Sequence, residues 1–191
     1  QIIASDIRVE NLFYAFRDLE LIKIFTWITL IGKWQMISSL VFTAVLILWL
    51  RRKRIYIIPL FITIAGSELF NLIGKIAIHR ERPELAFYAE NTFSFPSGHS
   101  TIAMSFFGFI IYILLRRKRK LKYKINILFS GITLILLIGL SWLYLGVHFL
   151  SDVWGGYLLG LLWLVIGISV SEWLISRDKP AFYSPPRKIK L

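Results

Sequence analysis

The chain has 191 residues, of which 57% are hydrophobic, and its mean hydropathy of +0.66 excludes an ordinary soluble globular domain. Its net charge is +12, and most of the basic residues lie in three runs, residues 51–54, 116–124 and 177–190. Because these runs adjoin apolar segments, they indicate cytoplasmic anchoring and not nucleic-acid binding, and the absence of cysteine excludes disulfides, thiolate metal sites and cysteine nucleophiles.

The apolar residues are grouped in segments long enough to cross a membrane. A hydrocarbon core of about 30 Å requires about 20 apolar residues per helix. Five segments meet or approach that length: residues 30–50, 55–76, 97–115, 125–146 and 151–175. The sequence therefore predicts an all-α, polytopic transmembrane helix bundle that forms a single integral-membrane domain, residues 1–176.

The two ends of the chain do not fit a membrane span. Residues 2–23 carry charged side chains among apolar ones, so residues 1–29 are predicted to form an N-terminal segment in the membrane interface. Residues 177–191 contain Pro180, Pro185 and Pro186, which prevent a continuing helix. This stretch is predicted to be a mobile, basic, cytoplasmic tail.

Charge predicts the orientation of the helices. The positive-inside rule places all three basic runs in the cytoplasm, and one alternating path of five spans satisfies all of them. Residues 77–97 and 147–151 then lie at the outer face of the cell membrane, together with the N-terminal segment. A further helix before Gln1 would complete a six-helix bundle, so we expect the first helix to be missing from this sequence.

His148 and Asp152 stand four residues apart at the start of the last predicted span. On a helix they share a face, so the carboxylate can accept the proton of one imidazole nitrogen and make the other nitrogen more nucleophilic. Such a pair also occurs as a purely structural contact near a membrane interface. These two residues alone leave both interpretations open.

A second polar group precedes the third predicted span and reads Pro96, Ser97, Gly98 and His99. Ser97 is predicted to cap the helix, and Gly98 lets a ligand approach the backbone closely. Free backbone N–H groups at a helix start bind anions, and His99 beside such an anion is well placed to protonate a leaving oxygen. The alternative is an ordinary capped turn.

Glu68, Asn71 and Lys75 follow one stripe of the second predicted span, and Arg82 lies beyond its end. Ionisable residues within a membrane are costly and face a polar interior, so the stripe is predicted to point into the bundle. Lys75 offers a point charge and Arg82 a planar fork, both suited to phosphate oxygens. The alternatives are snorkelling of Lys75 and contact of Arg82 with lipid headgroups. Headgroup contact is also expected for two neighbouring loop residues, His79 and Arg80.

Together these groups have the order and spacing of a known set of motifs. Between Lys75 and Asp152 the chain contains Lys-x6-Arg-Pro, Pro-Ser-Gly-His and Ser-x6-His-x3-Asp. This set resembles the signature of the type 2 phosphatidic acid phosphatase family. Outside this stretch only the pattern of spans agrees, and the resemblance implies the six-helix membrane core of that family.

The resemblance implies a phosphatase that needs neither a metal ion nor another cofactor and acts in two steps. His148 would attack phosphorus to form a phosphohistidine, and Asp152 would orient His148. His99 would protonate the leaving alkoxide and then activate water. The phosphate oxygens would be held by the remaining motif residues, Lys75, Arg82, Ser97 and Gly98.

A site at the outer end of membrane helices indicates a substrate that itself resides in the membrane. The expected partners are therefore a lipid phosphate and membrane lipids, with no nucleic acid. The compact chain resembles bacterial family members that dephosphorylate phosphatidylglycerophosphate, and undecaprenyl diphosphate is the alternative substrate. A phosphate carrier and a vanadate-dependent haloperoxidase fit less well, because no internal repeats are visible and the composition is not that of a soluble protein.

One position departs from the family pattern. The third motif of the family has an arginine, a phosphate ligand, directly after its serine, whereas Trp142 follows Ser141 here. An indole offers one N–H donor and no charge, so a bidentate contact is missing. Three explanations stay open: a variant with weakened turnover, replacement by another cation such as Arg80, or a slow or catalytically impaired protein that binds lipid phosphates.

Overall fold

A computed structural model describes residues 3–88, 90–117 and 120–178 of the chain. Every regular element in these residues is helical, which confirms the predicted all-α fold. In chain order the helices are α1 (Ala4–Ala15), α2 (Leu19–Gly32), α3 (Trp34–Leu50), α4 (Ile57–Ile78), α5 (Gly98–Leu115), α6 (Leu121–Tyr144) and α7 (Leu150–Arg177). A 3₁₀ turn, Arg54–Tyr56, precedes α4, and α5 contains a π-helical turn, Ala103–Phe107. The predicted basic tail lies mostly outside the described residues.

Four helices are long and apolar enough to cross a membrane. They are α4 with its preceding turn, α5, α6 and α7. Helices α2 and α3 pass the same test only as a pair, and the pair is bent by 47°. The described residues therefore contain four candidate membrane spans, or five if the bent pair is one span.

The bend between α2 and α3 lies at Lys33. Helix α2 begins after Asp18, whose carboxylate accepts backbone N–H groups of the first turn at 2.8 and 3.3 Å. It ends at Gly32, because Lys33 adopts an extended backbone conformation with a ψ of 145°. The segment assigned to the interface, residues 1–29, thus contains α1 and most of α2, and the chain changes direction after it.

Two apolar clusters fill the interior of the bundle. One includes Leu60 of α4, Phe109 of α5 and Leu164 of α7. The other joins α6 to the start of α7 through Ile138 and Val153. Many large apolar side chains on the outer helix faces are exposed, as expected for helices that face lipid.

Helix α7 approaches α5 closely because two glycines lie along the contact. A Cβ atom at Gly156 would lie 2.5 Å from the carbonyl oxygen of Ser97, and a Cβ atom at Gly160 would lie 2.5 Å from that of Thr101. Only a residue without a Cβ atom fits at these positions. The close approach brings the start of α7 against the start of α5.

We expect Gly160→Ala to destabilise the fold by about 1–3 kcal/mol, because the added methyl group must push two backbones apart. Thermal unfolding in detergent should show a melting temperature below that of the wild type. Gly155→Ala is the matched control, since its Cβ atom would meet only the edge of the Phe95 ring, which can move. Equal losses in the two variants would contradict the importance of the backbone contact at Gly160.

Candidate active site

The polar residues of the sequence motifs converge at one end of the bundle. This end contains the end of α4, the loop that follows it, and the starts of α5 and α7. The Ser97 N–H donates to the carbonyl oxygen of Asp152 at 3.0 Å. Asn71 Nδ2 donates to the carbonyl oxygen of Pro96 at 3.2 Å. These hydrogen bonds join three separate segments into one site.

His148 and Asp152 meet, but not on one helical face as the four-residue spacing predicted. Helix α7 begins at Leu150 after the N-cap residue Phe149, so His148 lies before the helix. Asp152 reaches back from the first turn, and its Oδ2 accepts the Phe149 N–H at 2.9 Å. The same oxygen lies 3.5 Å from His148 Nδ1. The carboxylate therefore faces one nitrogen of the imidazole.

Arg82 faces the other nitrogen of the same ring. Its Nη1 lies 3.2 Å from His148 Nε2, and it donates to the carbonyl oxygen of Val147 at 3.0 Å. The guanidinium also donates to the carbonyl oxygen of Thr92 at 2.7 Å and to its Oγ1 at 3.0 Å. A carboxylate at Nδ1 and a cation at Nε2 favour the tautomer with the proton on Nδ1. Nε2 is then unprotonated, and its electron pair accepts an N–H of Arg82 at 3.2 Å.

The environment of His148 keeps its ring neutral. Burial lowers the pKa of His148 to about 4, and the positive charges of Arg82 and Lys75 act in the same direction. The hydrogen bond and charge of Asp152 raise the pKa but do not outweigh burial. At neutral pH the imidazole is therefore unprotonated, and an unprotonated imidazole nitrogen has the electron pair that a nucleophile requires.

The Pro-Ser-Gly-His motif forms the start of α5. Ser97 is the N-cap, as predicted, and its Oγ accepts the Ser100 N–H at 3.4 Å. A Cβ atom at Gly98 would lie 3.3 Å from Asn71 Oδ1, so the backbone passes close to α4. Ser97 is fully buried, and His99 follows it in the first turn. The structure thus places His99 at the same bundle end as His148.

Lys75 lies in the last turn of α4. Its ammonium group donates to the carbonyl oxygen of Phe93 in the following loop. It lines one cavity together with Glu68, Asn71 and His99. The polar stripe of α4 therefore faces this cavity, and Asn71 is its buried member.

The expectation that Arg80 contacts lipid headgroups from an exposed loop is wrong. Arg80 is only 9% exposed, and its two terminal nitrogens lie 2.6 Å from carboxylate oxygens of Asp6 and Asp152. Its Nη1 also donates to Ser151 Oγ at 2.6 Å. Since carboxylates engage both terminal nitrogens, Arg80 does not replace the missing arginine at position 142.

Trp142 occupies the space beside His99. The two rings are stacked, with centroids 3.6 Å apart and an interplanar angle of 19°. The indole ring also lies 5.9 Å from the ring of His148. Trp142 is fully buried, and its Nε1 has no hydrogen-bond partner among the described residues. The position of the expected arginine is thus filled by an uncharged ring that touches one of the two site histidines.

A cavity of about 850 Å³ adjoins the site and is lined by residues of α3, α4 and α5, by the bend at Gly32 and Lys33, and by Glu90 of the loop before α5. Its ionisable lining residues are Lys33, Glu68, Lys75, Glu90 and His99. Its apolar wall includes Phe42, Val45 and Phe61. The cavity therefore offers a charged region next to an apolar surface, the division that an amphiphilic ligand requires.

Sequence reasoning missed two of the charged residues at this bundle end. Lys33 is a lone charge within the apolar stretch 24–50, and a lone charge in such a stretch is itself a signal of a functional site. Asp6 carries no such signal, because it is one of several charged residues on α1 and meets Arg80 only in the folded chain.

Residues 55–176 match the PAP2 superfamily. Phosphatidylglycerophosphatase B of Bacillus subtilis (strain 168) is 41% identical over 106 residues, which is 54% of this chain and 52% of that protein. The chain thus aligns with about half the length of this curated relative.

Two solved structures share the fold. The crystal structure of a transmembrane PAP2 type phosphatidylglycerolphosphate phosphatase from Bacillus subtilis has a TM-score of 0.82 and 29% identity, and the match covers 94% of this chain and 88% of that one. The crystal structure of Aquifex aeolicus LpxE has a TM-score of 0.71 and 24% identity, with 87% and 96% covered. At that identity the second likeness concerns the fold alone.

Proposed function

The chain belongs to the PAP2 superfamily, and on this premise we propose that it is a multi-pass membrane phosphatase that removes the terminal phosphate of phosphatidylglycerophosphate. The observation that carries the proposal is the placement of a neutral His148 between Asp152 and Arg82, at the bundle end that also holds His99. A nucleophile, its orienting carboxylate, a cation and a second histidine form the set that phosphoryl transfer through a covalent intermediate requires.

The first step transfers the phosphoryl group to His148. The electron pair on Nε2 forms a bond to phosphorus, and the bond between phosphorus and the lipid oxygen breaks. Its electrons pass to the leaving oxygen, which takes a proton from the imidazolium form of His99. Asp152 stabilises the positive charge that develops on the His148 ring.

The phosphate oxygens gain negative charge during this step. Lys75 and Arg82 supply positive charge, and Arg82 is held in place by Thr92 and Val147. The Ser97 hydroxyl and the backbone N–H of Gly98 supply further donors at the start of α5. Donors that are fixed before the reaction need no reorganisation when the charge develops, which is why they lower the barrier.

The second step releases inorganic phosphate. His99, now neutral, takes a proton from water as the water oxygen bonds to phosphorus. The bond between phosphorus and Nε2 breaks, and its electron pair returns to His148. Both histidines then regain their starting protonation states, so neither step requires a further reactant.

The orientation follows from the distribution of charge. Residues 51–54 and the described residues of the second basic run, 116–117 and 120–124, lie at the ends of α3 and α5 and at the starts of α4 and α6, opposite to the site. The positive-inside rule assigns that end to the cytoplasm. We therefore place the site at the outer face of the cell membrane.

The cavity supports a lipid substrate that carries two phosphates. Its apolar wall would take the start of an acyl chain, while Lys75 and His99 face the phosphate that is removed. Lys33 lines the same cavity from the bend before α3 and offers a second positive charge. Phosphatidylglycerophosphate has a second, diester phosphate that can meet this charge, and phosphatidic acid has none.

Trp142 supports a second candidate function, a catalytically impaired protein that binds lipid phosphates. The stacked indole fills the position of a phosphate-binding arginine and supplies no charge. Losing one donor aimed at the transition state costs on the order of 10²–10³ in rate. Trapping labelled phosphate on His148 separates the candidates, because a protein that only binds forms no phosphohistidine.

We expect the purified chain to release phosphate from phosphatidylglycerophosphate faster than from undecaprenyl diphosphate or phosphatidic acid, and His148→Ala to abolish the release. Phosphate liberated from a panel of lipids in detergent micelles is the measurement. His79→Ala is the matched control, since His79 is exposed and its ring contacts Phe93. If His148→Ala kept more than a few per cent of the activity, His148 would not be the nucleophile.

Trp142→Arg should increase phosphate release by on the order of 10²–10³, because it restores a charged, bidentate donor where transition-state charge develops. Initial rates of the variant and the wild type provide the test. Trp142→Gln removes the ring without adding a charge, and it separates the effect of freeing His99 from the effect of the guanidinium. No gain in the arginine variant would exclude the explanation that Trp142 weakens turnover.

Lys33→Gln should raise the KM for phosphatidylglycerophosphate by about tenfold or more and leave the KM for phosphatidic acid unchanged, since only the first lipid has a diester phosphate. A charge-assisted contact of about 1.5–3 kcal/mol is at stake. Lys23→Gln is the control, because Lys23 is an exposed residue of α2 that pairs with Glu20. Equal changes for both lipids would refute the assignment of Lys33 to the second phosphate.

A further inference from the structure

A buried chain of charges connects the N-terminal helix α1 to Asp152. Arg80 Nη2 lies 2.6 Å from Asp6 Oδ2, and Arg80 Nη1 lies 2.6 Å from Asp152 Oδ1. Ser151 adds two links, since its N–H donates to Asp6 Oδ1 at 2.9 Å and its hydroxyl donates to Asp6 Oδ2 at 2.7 Å. Asp6 is 1% exposed and Asp152 is fully buried, so solvent screens the interactions among these charges only weakly.

The second carboxylate changes the net charge that His148 meets. Arg80 alone would neutralise Asp152, and a neutral pair stabilises a positive imidazole poorly. Two carboxylates around one guanidinium leave a net charge of −1. Burial raises the pKa of Asp6, but hydrogen bonds from Arg80 and Ser151 outweigh it and the net pKa is lowered, so Asp6 is ionised at neutral pH.

We propose that Asp6 is a positioning residue for the His148–Asp152 pair and acts on it through Arg80 and Ser151. Asp6 fixes the guanidinium that orients the Asp152 carboxylate, and its charge restores the negative potential that Arg80 would otherwise cancel. The consequence for catalysis rests on the proposed function of the site. The electrostatic effect of Asp6 on the imidazole of His148 is independent of that function.

Other charged or titratable groups near His148 do not belong to this chain of charges. Arg82 faces the ring from the loop after α4, and the positive charge of Lys75 on α4 also lowers the pKa of His148. His99 belongs to α5 and is influenced by His148. Substitution of Asp6 or Arg80 leaves all of these charges in place. The resulting change in the pKa of His148 therefore measures the contribution of Asp6 and Arg80.

The test measures the titration of His148 directly. The sequence has three histidines, so nitrogen-15 NMR of the imidazoles in detergent micelles can follow each one, with His148→Ala and His79→Ala assigning the signals. Asp6→Asn should lower the pKa of His148, and Arg80→Gln should raise it, each by about one pH unit. The double variant restores a net charge of −1 and should return the pKa toward the wild-type value.

Activity provides the second measurement. Asp6→Asn should lower kcat about tenfold, the equivalent of one pH unit in the imidazole, with KM little changed because Asp6 does not reach the substrate cavity. Asp6→Glu keeps the charge and should keep the titration near that of the wild type. Glu10→Gln is the matched control, since it removes a carboxylate one turn along α1 that has no hydrogen bond to Arg80 among the described residues.

Opposite shifts in the two single variants, with recovery in the double variant, are the expected result. Shifts of the same sign, or no shift in folded protein, would overturn the proposal. If Asp6→Asn failed to fold, the double variant compared with Arg80→Gln would still decide, because the two differ only at Asp6 and equal pKa values of His148 would contradict the charge argument. A wild-type protein that released no phosphate would contradict the proposed phosphatase activity. The NMR titration would still test the effect of Asp6 and Arg80 on the pKa of His148.

Discussion

The buried carboxylate of Asp152 is the group on which the rest of the site depends. A charge without access to water is tolerated only when it is paired and hydrogen-bonded. Asp152 satisfies this condition with Arg80 on one oxygen, the Phe149 N–H on the other, and His148 beside it. Arg80 belongs to the loop after α4, whereas His148 and Phe149 directly precede α7. Satisfying one carboxylate therefore holds together the loop after α4, the start of α7 and the histidine before it.

The pattern of the sequence predicted which motif residues lie together, because spans that alternate in direction bring every second loop to the same side of a membrane. It did not predict the contact between Asp6 and Arg80, which are 74 residues apart and share no periodic pattern. It also placed His148 on a helix, since spacing alone cannot show that the N-cap falls at Phe149. Local caps and long-range ion pairs are properties of the folded chain.

The two histidines of the site lie in different surroundings. His148 is kept neutral by burial, with a carboxylate at one nitrogen and the Arg82 guanidinium at the other. His99 is stacked on Trp142, whose ring offers it contact area and no charge. The proposed roles, His148 as nucleophile and His99 as proton donor, thus assign different tasks to identical side chains in different surroundings.

The apolar wall of the cavity beside α3 has a consequence for the kinetics of the proposed reaction on a lipid. Phe42 and Phe61 lie on helices with lipid-facing surfaces, so a substrate that enters there remains in the plane of the bilayer. Its effective concentration is then a mole fraction among the surrounding lipids and not an amount per volume of water. Dilution with inert lipid would slow turnover even at a constant total amount of substrate. The measured affinity would be a joint property of the protein and its bilayer.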